Sequence, residues 1–422
     1  MNRRDFLALT AAATVVKANP QASRPNFLIV LADQFRADAL GVSGNCFTYT
    51  PNLDSLAREG VRFSNAYCPQ ALCSPSRGAL FTGVYPHTTR LQHNIYHLSN
   101  TFAMPEFRLS PNWPSLLHNA GYYTGFIGKW HLGEDNPGFF DYWVGYNSLK
   151  PHWVGPKYRS AYRTDVEADE AMNFLEKNRS RPFALVVSHY PPHTPYDPPL
   201  KDENEYVARG VPIAGYYGAV TAVDRAVGRV LAKLKSLHLD RNTFVCFTSD
   251  HGETFGERPG SSDKGVCYDD SAKVPFLMRF PRALPSGIIY EGGVSTVDLM
   301  PTLLEVAGLS LPSGLQGHSR LGDIRKNDLG WKEPVFMENI SQRGIGGTAA
   351  IERAVRTRQW KLILRDHPKD ELYNLEADPG EADDLLPRPE SRARVKELAA
   401  LMLRWSERVN DPVATRLAKR YA

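Results

Sequence analysis

Three mainly apolar runs, residues 26–31, 183–187 and 243–248, each lead straight into acidic or imidazole side chains. The first ends before Asp33, the second before His189 and His193, and the third before Asp250 and His251. A strand that is apolar at nearly every position has both faces covered, as in a parallel sheet between two helical layers. Between the runs lie helical patterns at 53–59, closing on Gly60, at 113–120, closing on Gly121, and at 217–237. This alternation predicts an α/β fold, a three-layer sandwich around a mostly parallel sheet. Such sheets bind ligands at the carboxyl ends of their strands, where Asp33, Asp250 and His251 stand.

At 422 residues the chain has room for one large domain and a smaller one. Beyond residue 330 the texture changes. Segments 349–365 and 371–375 have the pattern of short antiparallel strands, with 366–370 as their turn, and an amphipathic helix is predicted over 392–409. The expected division is a catalytic domain at 24–330 and a C-terminal α+β subdomain at 331–422. Residues 1–22 have the form of a twin-arginine export signal, with Arg3 and Arg4 before a short apolar stretch, and point to the bacterial periplasm. That stretch is too short to span a bilayer. A formal charge of +4 without Lys/Arg blocks gives no basis for a nucleic-acid groove. Five cysteines are too few for a disulfide scaffold, although one or two bridges are open to them.

The densest chemistry lies in CSPSR at 73–77, where Cys73 and Arg77 open a helical segment that ends at Gly83. A helix N-terminus stabilises negative charge, which suits an anionic substrate or nucleophile. Asp33 with Gln34 and Asp250 with His251 form an oxygen-rich set suited to a hard divalent cation. Read singly, His193 and Lys264 have the character of surface residues. His93 and Asn94, in the following loop, are weaker candidates for substrate contact.

CSPSR followed by Gly78 resembles the signature of the type I, formylglycine-dependent sulfatases of the alkaline phosphatase-like superfamily. Segment 121–133, GYYTGFIGKWHLG, is similar to that family's second signature. The resemblance continues through TPNLD at 50–54, SDHG at 249–252, VP at 274–275, VDLMPT at 297–302 and ELYNL at 371–375. It implies that a maturation enzyme converts Cys73 to formylglycine, whose hydrate attacks sulfur and later expels sulfate by C–O cleavage. It further implies Asp33, Gln34, Asp250, His251 and modified Cys73 as ligands of one divalent cation, Ca²⁺ first and Mg²⁺ second. Lys129 and Lys264 are implied to bind sulfate oxygens, with His193 near the leaving group, His131 assisting the second diol hydroxyl and Arg77 holding the diol. Gln34 departs from the pattern, since many relatives carry a second Asp there.

The same superfamily contains phosphonate monoester and phosphodiester hydrolases. Lys129 and His131 favour the sulfatase, because those hydrolases typically carry uncharged polar groups there. A third reading is a non-catalytic sulfoglycan-binding protein, which follows if Cys73 is never converted. Loops at 85–111, 135–162 and 192–211, rich in aromatic, Pro and His residues, suit a sulfated saccharide or aryl sulfate.

Overall fold

The computed structural model describes residues 24–96, 110–157, 160–258, 261–340, 351–367 and 369–422. Strand β1 (Asn26–Asp33) is buried along its whole length. Its Phe27, Ile29 and Leu31 enter one apolar cluster and its Leu28, Val30 and Ala32 another. The two clusters are the two sides of one sheet, so the uniformly apolar run reports double-sided burial.

The further strands are β2 (Val61–Tyr67), β3 (Tyr123–Lys129), β4 (Tyr142–Tyr146), β5 (Trp153–Val154), β6 (Ala161–Tyr162), β7 (Phe183–Pro192), β8 (Thr243–Ser249), β9 (Phe276–Arg279) and β10 (Ile288–Ser295). Eight of them form one sheet in the order β10-β2-β9-β8-β1-β7-β3-β4, while β5 and β6 make a separate hairpin. All neighbours in the large sheet run parallel except β9, which is antiparallel to both β2 and β8. Helices Arg163–Asn178 and Ala214–Ser236 cover one side, with Phe174, Val220, Val223 and Val227 in the cluster that also holds Leu28. Among the described residues no helix is long and apolar enough to cross a membrane. The signal assigned to residues 1–22 lies outside the described residues.

Strands run further than their apolar cores suggest. The run at 183–187 continues to Pro192 because Ser188 and His189 keep their register with Gly128 and Ala32. Polar site residues therefore sit on the sheet's own ends. Gly128 shows how tightly that end is packed: its φ is +100°, and a Cβ there would lie 2.0 Å from the Ser188 carbonyl oxygen. Gly128→Ala should cost at least about 2 kcal/mol in chemical denaturation, because a left-handed conformation and a backbone clash coincide. A loss below about 0.5 kcal/mol would show that the strand end yields freely.

The C-terminal unit contains a four-stranded antiparallel sheet, β11 (Val335–Ile340), β12 (Ile351–Arg356), β13 (Trp360–Arg365) and β14 (Glu371–Asn374). Segment 349–365, expected as one strand, is in its described part the hairpin β12-β13. The reversal at 357–359 carries neither Gly nor Pro; Thr357 makes it by donating its N–H to the Trp360 carbonyl and accepting the Trp360 N–H on Oγ1. The terminal helix spans Arg392–Val409, and its Val395, Leu398, Met402, Trp405 and Val409 are buried with Val355, Leu362 and Leu364. Each such side chain contributes about 1.5–3 kcal/mol relative to exposure. The five cysteines are all unpaired, so no bridge assists the fold; Cys46 is exposed and the other four are buried.

Candidate active site

Four parallel strands and one helix converge on Cys73. The helix Cys73–Thr82 begins on Cys73 and is buried at every position. Asp33 closes β1, Lys129 closes β3, His193 follows β7, and Asp250 and His251 follow β8. Arg77, one turn into the helix, ties these ends together and is completely buried. It donates to Asp33 Oδ2 at 2.9 Å, Asp250 Oδ2 at 2.8 Å, the Lys129 carbonyl at 2.6 Å and Ser188 Oγ at 2.8 Å. These bonds occupy four of the five guanidinium N–H groups and none goes to Cys73.

Around the Cys73 sulfur stand His251 Nε2 at 3.2 Å, Lys264 Nζ at 3.6 Å, Asp33 Oδ1 at 3.7 Å and Lys129 Nζ at 3.8 Å. Burial and Asp33 oppose ionisation of the thiol, yet Lys129, Lys264 and His251 outweigh them and lower its pKa. For Asp33, burial is overcome by Lys129, His193, Arg77 and His251, which hold the carboxyl well below its usual range. Lys129 Nζ lies 2.6 Å from Asp33 Oδ2 and 4.2 Å from the centre of the Tyr190 ring.

Asp33, Cys73, Asp250 and His251 offer ligand atoms that all lie within 4.8 Å of one another. His251 Nδ1 is 2.8 Å from the Gly252 carbonyl, which can only accept, so that nitrogen carries hydrogen and Nε2 faces the cluster. Burial disfavours charge on His251, but Asp250 and Cys73 outweigh it and raise the pKa of the imidazole to about 9. An imidazole drawn to hold a proton between buried acids marks a place that attracts positive charge. The donor set fits a hard divalent cation. Gln34, held at φ +65°, points its Oε1 at Lys264 Nζ (2.8 Å) and its amide at Glu253. Glu253 also accepts from the Tyr196 hydroxyl.

A cavity of about 290 Å³ opens over this centre, with Cys73, Lys129, His131, His193 and Lys264 in its wall. His131 is buried in a left-handed backbone conformation (φ +56°), and among the described residues neither ring nitrogen has a hydrogen-bond partner. Burial, reinforced by Lys129 and Arg77, pushes its pKa well down, so it is neutral. His193 is also held down by burial and by Lys264. Its Nδ1 lies 2.8 Å from the Thr194 carbonyl, so Nε2 accepts from Lys264 Nζ at 2.8 Å.

The two weaker candidates separate. Asn94 is buried in the cavity wall and accepts the Ser74 N–H at 2.9 Å, whereas His93 is exposed and absent from that wall. Tyr96, Leu149, Tyr190, Glu253 and Asp263 also line or brace the site; Tyr96 and Leu149 come from two of the loops expected to meet substrate, but none of the five was singled out as a residue. Glu253 stands two residues after His251 and could have been found as a further acid beside the proposed cation ligands. Tyr96 and Leu149 lie in irregular segments with no periodicity to read.

Comparison with known proteins agrees with this geometry. The sequence matches the family described as Sulfatase over residues 25–309, and the one described as N-sulphoglucosamine sulphohydrolase, C-terminal, over residues 256–408. It is 30% identical to an ulvan-active sulfatase of Formosa agariphila, over 95% of this chain and 84% of that protein. It is 26% identical to an N-acetylglucosamine-6-O-sulfatase of Bacteroides thetaiotaomicron, over 96% and 91%. The fold superposes on the Bacteroides fragilis protein named as the sulfatase yidJ with a TM-score of 0.81, at 26% identity and over 95% and 99% of the two chains. With a family match that takes in Asp33, Cys73, Lys129 and Asp250 together, the chain belongs to the sulfatase family, and it is a sulfuric ester hydrolase.

Proposed function

We propose that the enzyme removes sulfate from a sulfated carbohydrate, with Cys73 acting after conversion to formylglycine. The observation that carries this is the approach of two ammonium groups, Lys129 and Lys264, to within 3.8 Å of one buried side chain at a helix N-terminus. The named relatives that act on ulvan and on N-acetylglucosamine 6-O-sulfate support a saccharide as substrate. In Cys73 the Cβ is the carbon that becomes the aldehyde, and the sulfur marks only roughly where a diol oxygen stands. A hydrated formylglycine supplies one hydroxyl to displace the alcohol from sulfur and a second whose deprotonation releases sulfate and regenerates the aldehyde.

Asp33, Gln34, Asp250 and His251 would hold the cation, Ca²⁺ in our proposal, which would polarise a sulfate oxygen when bound. The protein's own residues do the rest. Lys129 and Lys264 bind equatorial sulfate oxygens and offset the charge that builds there. His193, hydrogen-bonded to Lys264, lies where a proton can pass to the leaving alkoxide, while neutral His131 can accept one from the second hydroxyl. Arg77 fixes Asp33 and Asp250 relative to the helix that carries Cys73. Dialysis against a strong chelator should therefore reduce turnover at least about 100-fold and lower the melting temperature, with Ca²⁺ restoring both. Unchanged turnover after verified metal removal would exclude the cation.

Substrate class is tested by measuring desulfation across defined sulfated mono- and oligosaccharides, choline sulfate, an aryl sulfate and a phosphonate monoester. A sulfated saccharide should give the highest kcat/KM; preference for the phosphonate would overturn the proposal. Arg3 and Arg4 support export to the bacterial periplasm, which fractionation of cells with and without a working twin-arginine pathway would check.

A further inference from the structure

The C-terminal sheet buries charges where an apolar face would pack as well. On the side facing the catalytic domain, Glu352 pairs across the ladder with Arg365, and Arg356 with Lys361. Glu352, Lys361, Arg365 and Glu371 are each at most 6% exposed. Taking such groups out of water is costly, and apolar substitutes of similar volume are often as stable or more so. Stability alone does not account for them.

Their partners lie in the segment immediately after Lys264. Glu352 Oε2 accepts the Cys267 N–H at 3.0 Å, and Lys361 Nζ donates to the Cys267 carbonyl at 3.1 Å. Lys361 also pairs with Asp269 and, at 2.6 Å, with Glu381, whose other oxygen accepts the Asp269 N–H at 2.7 Å. Glu371 accepts the Tyr268 hydroxyl at 2.6 Å, and Asn339 in β11 donates to the Gly265 carbonyl. Between residues 265 and 269, the backbone is thus met repeatedly by buried side chains of one sheet. Other bonds tie the segment and the residues just after it to the reaction centre. Gly265 donates to the Ala71 carbonyl at 3.0 Å, two residues before Cys73, and the Asp270 and Ser271 carbonyls accept from Glu253 and Gly252. Lysine's long stem makes its ammonium only as well placed as the backbone beneath it.

We propose, on the basis of the sulfate-binding role assigned to Lys264, that the C-terminal sheet is a clamp that sets Lys264 against the nucleophile. Glu352 and Lys361 are its principal positioning residues. The buried charges serve registry: Glu352 and Lys361 hold the two backbone groups of Cys267 and Glu371 holds the Tyr268 hydroxyl, in a segment that has no strand pairing of its own before residue 269. The subdomain acts on the reaction through that segment and not by touching substrate.

A double-mutant cycle on the matured enzyme, following kcat/KM with a fluorogenic aryl sulfate, tests this. Glu352→Gln and Lys361→Met should each lower kcat/KM about 10- to 100-fold, the scale of a misplacement near 1 Å. In a Lys264→Ala background, assayed with enough enzyme to follow residual turnover, the same substitutions should change it less than about twofold. Equal losses in both backgrounds would overturn the clamp, since a general weakening of the fold is indifferent to Lys264. Full activity in a folded Lys361→Met protein would overturn it too. Should Lys361→Met fail to fold, Glu352→Gln and Asn339→Ala carry the cycle. Lys264→Ala with wild-type activity is a separate failure, because it removes the sulfate-binding role and not the clamp.

Discussion

Cys73→Ser is expected to give a protein that folds, reacts once and stops. Serine is close to cysteine in size, and position 73 is 1% exposed at the head of a wholly buried helix, so packing changes little. Its hydroxyl has the same lysines and acids beside it and can take sulfate from an ester. It lacks the second hydroxyl whose collapse would release that sulfate. Steady-state kcat should fall at least about 10⁴-fold, the scale seen when a catalytic nucleophile is removed. A burst of alcohol product equal to the enzyme concentration should precede the stall, with sulfate retained on the substituted side chain. Cys73→Ala should show the same steady-state loss without the burst, and an unchanged fold by circular dichroism. Repeated turnover by Cys73→Ser at a normal rate would contradict the two-hydroxyl mechanism.

The second large effect belongs to Arg77 and is one of stability as well as activity. Arg77 and its two carboxylate partners have fully buried side chains. Arg77→Met keeps much of the volume but takes the guanidinium from Asp250 and leaves Asp33 to its ion pair with Lys129, a loss of about 3–5 kcal/mol for a buried pair broken on one side. Arg77→Lys should rescue little, because a single ammonium cannot span partners that lie on or just beyond four different strands. Urea denaturation of both variants, with turnover measured in the absence of urea, checks this. Arg77→Met with wild-type stability would mean that the acids are neutralised in some other way.

The catalytic half of the molecule was legible because its signals are local. An apolar run followed by Asp33, or by Asp250 and His251, states both the strand and what its end presents. The helical segment after Cys73 and Arg77 was read from its close on Gly83, and the helix itself starts on Cys73. The hairpin at 357–359 was missed because Thr357 turns the chain with its side-chain oxygen in place of a glycine. His93 and Asn94 could not be told apart, since an irregular loop has no period that assigns one residue to the cavity and its neighbour to solvent. The clamp was invisible for a deeper reason. In β12 and β13 the buried Glu352, Lys361 and Arg365 stand near the strand ends, where charged side chains are ordinarily solvated. Only the docking of that sheet face onto residues 265–269 turns them inward.

The central claim is that Cys73 works as an aldehyde hydrate, and its mass decides it. Protein made with and without a formylglycine-generating enzyme should be digested, and the peptide containing Cys73 weighed alongside a turnover assay. Conversion of thiol to aldehyde removes about 18 Da. The expected result is a lighter peptide only in the co-expressed sample, with kcat rising in proportion to the converted fraction. Full activity in protein whose Cys73 is an unmodified thiol would contradict the account.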